Sequence, residues 1–193
     1  MSPSKWRIQI RGRHPRAALA GAGPGIRGLR NLVGGTISLA VLGAIAVATR
    51  EPFVFPSLGP TAFLIFDVPE MAHSSPRNAV LGHLVGVACA WAALFVTGLL
   101  DVPSDVTTGI SVNRAIAAAL SLGLTSGLMV WARVPHPPAC ATTLIVGLGI
   151  LHKPDQLAVL MAAVVALVAI GVIVNRLWGV DYPLWSRRPA APS

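Results

Sequence analysis

Four stretches of this chain contain no Asp, Glu, Lys or Arg: residues 31–49, 78–100, 115–132 and 156–175. An α-helix rises about 1.5 Å per residue, so each stretch is long enough, or nearly so, to cross roughly 30 Å of hydrocarbon. Uninterrupted runs of this length exceed the buried strands of a soluble α/β domain. The pattern predicts an all-α, polytopic transmembrane bundle. Two shorter apolar segments lie among the long ones, PFVFPSLGPTAFLIF over 52–66 and VPHPPACATTLIVGLGIL over 134–151, and both are interrupted by proline.

The layout repeats. Each half reads long span, short proline-containing segment, turn, long span. A shift of 81 residues places Pro56 on Pro137 and Thr61 on Thr142, in the contexts GPTAFLI and CATTLIV. The shared hydropathy pattern is stronger evidence of duplication than these few identities. The short segments either re-enter and leave on one side, giving four full spans, or cross as broken helices, giving six. With an odd number of crossings per half, the two repeats are inverted, an arrangement found in transporters, where the site lies at the breaks. Lipid tolerates a broken backbone only where protein or a water-filled cavity covers it, so the short segments belong in the interior with the long ones around them.

Charge refines this picture. The chain has 193 residues, 54% hydrophobic and 11% charged, against about 25% charged in soluble domains. Its net charge of +8 is concentrated at the ends: Lys5, Arg7, Arg11, Arg13, Arg16, Arg27 and Arg30 precede Asn31, and Arg176, Arg187 and Arg188 follow the last span. Basic ends predict cytoplasmic termini and a bacterial inner (plasma) membrane protein. With four spans, Arg50, Arg77, Arg133 and Lys153 fall outside. With six, Arg77 and Arg133 move inside and Arg114 moves out, and the positive-inside rule favours this arrangement by one charge. No motif supports a nucleic-acid partner. Residues 1–30 read as a basic cytoplasmic arm touching anionic headgroups, not as a cleaved signal. Residues 31–177 form the transmembrane domain. Residues 178–193, with Trp178, Tyr182 and Trp185, read as an interfacial tail.

The polar residues of the broken segments are the candidates for chemistry. Pro137 and Pro138 predict a helix starting near Ala139. Its first turn would present N–H groups near Cys140–Thr142 to an anion. Ser57, Gly59, Pro60 and Thr61 offer the same device in the other half, with Gly59 admitting a substrate close to the backbone. The hydroxyls of Ser57, Thr61, Thr142 and Thr143 would replace lost hydration. His83, inside a long uncharged span, and His136, at a break, would tune charge. Arg77 and Arg133 either anchor helix ends or line a vestibule that concentrates anions. His14, His73 and His152 read as loop residues, and Cys89 and Cys140 as small buried side chains. No GxSxG, HExxH, CxxC or paired intramembrane carboxylate is present, so no enzyme, metal site or cofactor is expected.

Three blocks carry a family resemblance. VPHPPACATTLIVG, with His136-Pro137-Pro138, resembles the signature of the HPP family of integral membrane proteins. FPSLGPTAFLIF resembles another block of that family, and SSPRNAVLGHLVG a third, through Pro76-Arg77-Asn78 and Gly82-His83. The resemblance spans roughly residues 31–176. It implies four transmembrane spans and, from plastid and cyanobacterial members, transport of nitrite. Cys140 departs from the family's His-Pro-Pro-Ala-Gly pattern and implies a slightly narrower site. The expected function is therefore membrane transport of a small inorganic anion, with lipid as the other partner. Two other readings stay open: a non-transporting regulatory or scaffold protein, and an intramembrane enzyme or metal-binding protein. A homodimer is compatible with this size, but no residue pattern marks its interface.

Overall fold

The structure, a computed structural model, describes residues 23–186. The expectations placed on residues 1–22 and 187–193 lie outside the described residues. Among the described residues every regular element is a helix or helical turn: α1 (Pro24–Thr49), α2 (Leu58–Asp67), a 3₁₀ turn (Ala72–Ser74), α3 (Pro76–Val96), α4 (Asp105–Thr108), α5 (Val112–Trp131), α6 (Ala139–Gly147) and α7 (Pro154–Leu177). The helices α1, α3, α5 and α7 are each long and apolar enough to span a membrane. Helix α1 begins seven residues before Asn31, with Pro24 in its first turn, so the helix takes in the end of the expected arm.

Helix ends follow local chemistry. Pro76 and Pro154 open α3 and α7, where a missing N–H costs nothing. Ser75 and Ser111 cap α3 and α5 by accepting from the backbone N–H of Asn78 and Arg114. Gln156 accepts from the N–H groups of His152 and Lys153 at the start of α7. Arg50 and Arg133 adopt left-handed conformations, φ 60° and 55°, where α1 and α5 stop.

Contacts between distant residues fix which ends lie together. At one end of the bundle, Arg27 in the first turn of α1 pairs with Asp67 at the last residue of α2, with Nε to Oδ1 at 3.0 Å. Arg77 donates to the Arg133 carbonyl at 2.9 Å, and the Tyr182 phenol donates to the Ser74 carbonyl. At the opposite end, Arg114 donates to the carbonyls of Val102 and Pro103 at 3.0 and 2.9 Å and lies against Gly149. The chain thus passes between the two ends six times. Four passes are long helices. The other two combine a non-helical stretch with the short helices α2 and α6, about 15 Å or less each. The implied count of four spans matches the long helices alone.

Helices α1, α2 and α3 run opposite in turn to α5, α6 and α7, so the two halves are antiparallel. Helix α3 packs on α5 and α6, α7 packs on α1 and α2, and α3 meets α7 between the halves. Each half therefore lends its third helix to the other. Missing side chains allow the closest approaches. A Cβ on Gly82 would stand 2.7 Å from His136 Cβ, one on Gly34 2.7 Å from the Phe66 ring, and one on Gly171 2.7 Å from Ile65. The apolar core is centred on Leu42, Leu58, Phe66, Leu160 and Leu167.

The described part of the C-terminal segment folds back onto the bundle. Tyr182 is fully buried, its hydroxyl holds Ser74, and Trp185 accepts from the Arg77 backbone N–H. Trp178 packs on Phe66. Residues 178–186 form a strap across the end of the bundle, with only Leu184 and the half-exposed Trp185 presenting large apolar surface.

Candidate functional site

The two broken crossings bring their threonines to one histidine. His83 stands on α3 seven residues past Pro76, about 10 Å along the helix. Its Nε2 lies 3.0 Å from Thr61 Oγ1 and its Nδ1 2.7 Å from Thr142 Oγ1. Thr61 and Thr142 are the residues that the 81-residue shift superposes. The imidazole of His83 thus bridges equivalent positions of the two inverted halves. His136 extends the cluster: its Nε2 is 3.2 Å from Thr61 Oγ1, its Nδ1 is 2.7 Å from the His73 carbonyl, and the two rings are 5.0 Å apart. All four side chains are fully buried.

With both rings neutral, the hydrogen bonds have a single consistent direction. A carbonyl only accepts, so His136 Nδ1 carries the proton it gives to His73. His136 Nε2 then accepts from the Thr61 hydroxyl. Thr61 Oγ1 accepts from His83 Nε2–H, and His83 Nδ1 accepts from the Thr142 hydroxyl. The Ser57 carbonyl is an alternative acceptor for Thr61 at 3.0 Å, but that choice leaves His136 Nε2 without a donor. Every polar atom on the line from Thr142 to His73 is satisfied, as burial requires.

The other expected residues divide. Ser57 is fully buried one turn before Thr61 on the same face, and its hydroxyl has no partner. Thr143 is buried beside the cluster but points elsewhere, 3.0 Å from both Thr125 Oγ1 and the Ala139 carbonyl. It occupies the space that Gly86 leaves open. Gly59 is exposed on the outer groove between α1 and α2, with Asn31, Thr36 and Phe63. Cys140 is half-buried and makes no hydrogen bond to the cluster. The start of α6 at Ala139 is as expected, yet its first amides are not free. Ala139, Cys140 and Ala141 donate to the carbonyls of His136, Pro137 and Pro138, each at 3.0 Å. The reason is the helical conformation of Pro138, φ −58° and ψ −23°, which closes a tight turn before the helix proper. Side chains, not backbone amides, furnish the polar groups here.

Arg77 and Arg133 lie together on one pocket. A pocket of about 360 Å³ opens at the end of the bundle that holds both termini of the described chain, between Ser75, Arg77, Asn78, Arg133, Pro135 and Ser186. Asn78 donates to the Pro135 carbonyl at 3.1 Å. Ala72 and Pro135, both on its wall, are the chain neighbours of His73 and His136. The strap contributes Ser186 to the rim.

Sequence reasoning passed over His73, Thr125, Asn78 and Tyr182. The role of His73 lies in its carbonyl, which no residue type announces. Tyr182 was grouped with the tryptophans by composition. Asn78 had a signal in its place beside Arg77 at the start of a span. Among the described residues, no group of three or more His, Cys, Asp or Glu is placed to hold a metal ion.

Two transmembrane proteins of Dictyostelium discoideum are similar to the chain. One is 28% identical over 134 residues, covering 67% of this chain and 44% of the relative. The second is 32% identical over 112 residues, covering 58% and 33% respectively. The chain thus matches less than half the length of either relative. No solved structure matches it. The profile of the HPP transmembrane region matches residues 23–183, a stretch that takes in the four long helices, both short ones and the His-Pro-Pro triplet, and the chain belongs to the HPP family.

Proposed function

We propose that the protein carries a small monovalent anion, nitrite being the leading candidate, across a bacterial inner membrane with its termini on the cytoplasmic side. The observation that carries this reading is the meeting of Thr61 and Thr142, one from each broken crossing, on the two nitrogens of His83. Broken crossings related by inverted symmetry are where transporters hold small solutes. The Arg77–Arg133 pocket above His136 selects for negative charge and raises the local anion concentration. Arg27, Arg30, Arg77, Arg133 and Arg176 share that end of the bundle, which favours its cytoplasmic placement. Substrate would enter past Arg133, displace the short contacts among Thr61, His83 and Thr142, and leave by the opposite repeat. No catalytic role is assigned to any residue.

Purified protein reconstituted in liposomes tests this directly. Nitrite uptake above that of protein-free vesicles is the expected result. Folded protein that moves no anion under any ion or pH gradient would reject transport in favour of a regulatory or scaffold role.

A further inference from the structure

The histidine cluster lacks something that a site for a lone anion needs, namely a fixed positive charge. As neutral imidazoles both rings have every hydrogen bond satisfied, and among the described residues no carboxylate lies within hydrogen-bond reach of either to offset a proton. Helix α2 carries Asp67 only at its far end, bound to Arg27. The 3₁₀ turn brings His73, α3 brings Arg77 and Cys89, the stretch before α6 brings Arg133, and α6 brings Cys140. At the other end, α5 brings Arg114 and α7 brings Asp155, while Arg176 of α7 and Asp181 and Tyr182 of the strap lie at the end of the bundle that holds Arg77. A proton arriving alone would bury an imidazolium with no counter-charge. An anion arriving alone would face neutral hydroxyls. Either event is costly in a dry interior, whereas the two together cancel.

From this we infer that the site takes up a proton and a monovalent anion together, so that the conjugate base of a weak acid crosses with one proton and no net charge. This rests on the anion-transport reading and specifies its coupling. The proton adds to the Nδ1 lone pair of His83, giving an imidazolium whose two N–H groups point at Thr142 Oγ1 and Thr61 Oγ1. Thr142 keeps its own proton and, no longer donating to His83, turns its O–H to the incoming anion. The buried and unpartnered hydroxyl of Ser57 lies one turn from Thr61 and supplies a second donor. On release, the Nδ1 proton departs with the anion and the Thr142 hydroxyl returns to His83. The event that supplies the positive charge is thus the same event that frees a donor for the anion.

Proteoliposomes containing a pH-sensitive dye, with membrane potential clamped by potassium and valinomycin, provide the test. Protein-free vesicles supply the background from nitrous acid leak. External acidification should drive nitrite uptake with about one proton entering per nitrite, at a rate indifferent to the clamped potential. Thr142→Val should lower protein-dependent uptake more than tenfold, and Thr142→Ser should keep most of it. Uptake that follows the potential without acidifying the lumen would overturn the coupling while leaving anion transport standing. Wild-type uptake by Thr142→Val, or equal loss in folded Thr142→Ser, would also overturn it. Absence of protein-dependent flux of nitrite, nitrate and chloride would overturn both this inference and the reading beneath it.

Discussion

At the scale of single residues, Thr61 has the most demanding position. Its one hydroxyl stands between two imidazole nitrogens, at 3.0 and 3.2 Å, with no exposure to solvent. Thr61→Val keeps the shape and removes the hydroxyl, leaving two buried nitrogens short of a partner at about 1–3 kcal/mol each. A lower melting temperature in detergent, together with loss of flux, is the expected outcome. Thr61→Ser should restore both, and an unchanged melting temperature in Thr61→Val would mean that the hydroxyl holds nothing together. Arg133 calls for a different readout. Its side chain is exposed, and its backbone makes the bonds, donating to the Val130 carbonyl and accepting from Arg77. Arg133→Gln should raise the half-saturating nitrite concentration by up to about tenfold and weaken its dependence on salt, with the saturated rate unchanged. A fall in the saturated rate alone would show that Arg133 does more than attract. Tyr182 adds a pH dependence from outside the spans. Burial pushes its phenol above its ordinary range, so the folded protein keeps the proton where an unfolded chain loses it, from about pH 10 upward. The stability it contributes is complete below that pH and declines as the medium becomes more alkaline. Tyr182→Phe should flatten that alkaline decline in thermal-melt series.

At the scale of elements, the bundle depends on where side chains are missing. A methyl group on Gly86 would meet Thr143 Oγ1 at 2.7 Å and the Ala139 carbonyl at 2.9 Å, and a backbone oxygen does not yield cheaply. Gly86→Ala should therefore cost about 1–3 kcal/mol through displacement of α6. Gly35→Ala, with nothing within 4 Å of its new carbon, should stay within about 0.5 kcal/mol of wild type. Similar losses in both would show that the contact with α6 is not what Gly86 protects. The elements also show what sequence could and could not convey. The long spans were legible because the absence of charge over twenty residues has few other meanings, and the start of α6 because two prolines dictate it. Thr61 and Thr142 were found through the repeat, and His83 and His136 through their rarity in apolar segments. The setting of Gly59 and Cys140 was not legible for one reason: spacing along a short helix does not say which face turns inward, and Gly59 is exposed while Cys140 is half-buried beside the hydrogen-bonded cluster rather than in it. The free amides expected at α6 failed because the prolines before the helix adopt helical angles themselves and close their own turn. The packing of the strap was not legible because a tyrosine's pattern does not announce its partner, here the Ser74 carbonyl 108 residues away.

The whole molecule is an exchange between halves. Because α3 packs on α5 and α6 while α7 packs on α1 and α2, neither half can assemble the site alone: His83 comes from the first and Thr142 from the second. Inversion also has a consequence for topology that can be measured without a substrate. Met71 follows α2 at the end of the bundle that holds Arg77 and Arg133, and is half-exposed. Val106, on α4 at the opposite end, is more exposed still. In a Cys89→Ala, Cys140→Ala background, Met71→Cys and Val106→Cys place one thiol at each end. If the broken segments complete their crossings and the basic end is cytoplasmic, a membrane-impermeant thiol reagent added to intact cells should label position 106 and spare position 71. The opposite pattern would mean either that the short segments re-enter, leaving four full spans, or that the molecule is inverted, and in both cases the arginine-rimmed pocket would open outside and the proposed anion route would begin at the other face. Labelling of both positions would mean that the chain does not pass between the two faces from 71 to 106. The inverted repeats, and with them the equivalence of Thr61 and Thr142 on one imidazole, would then have no basis.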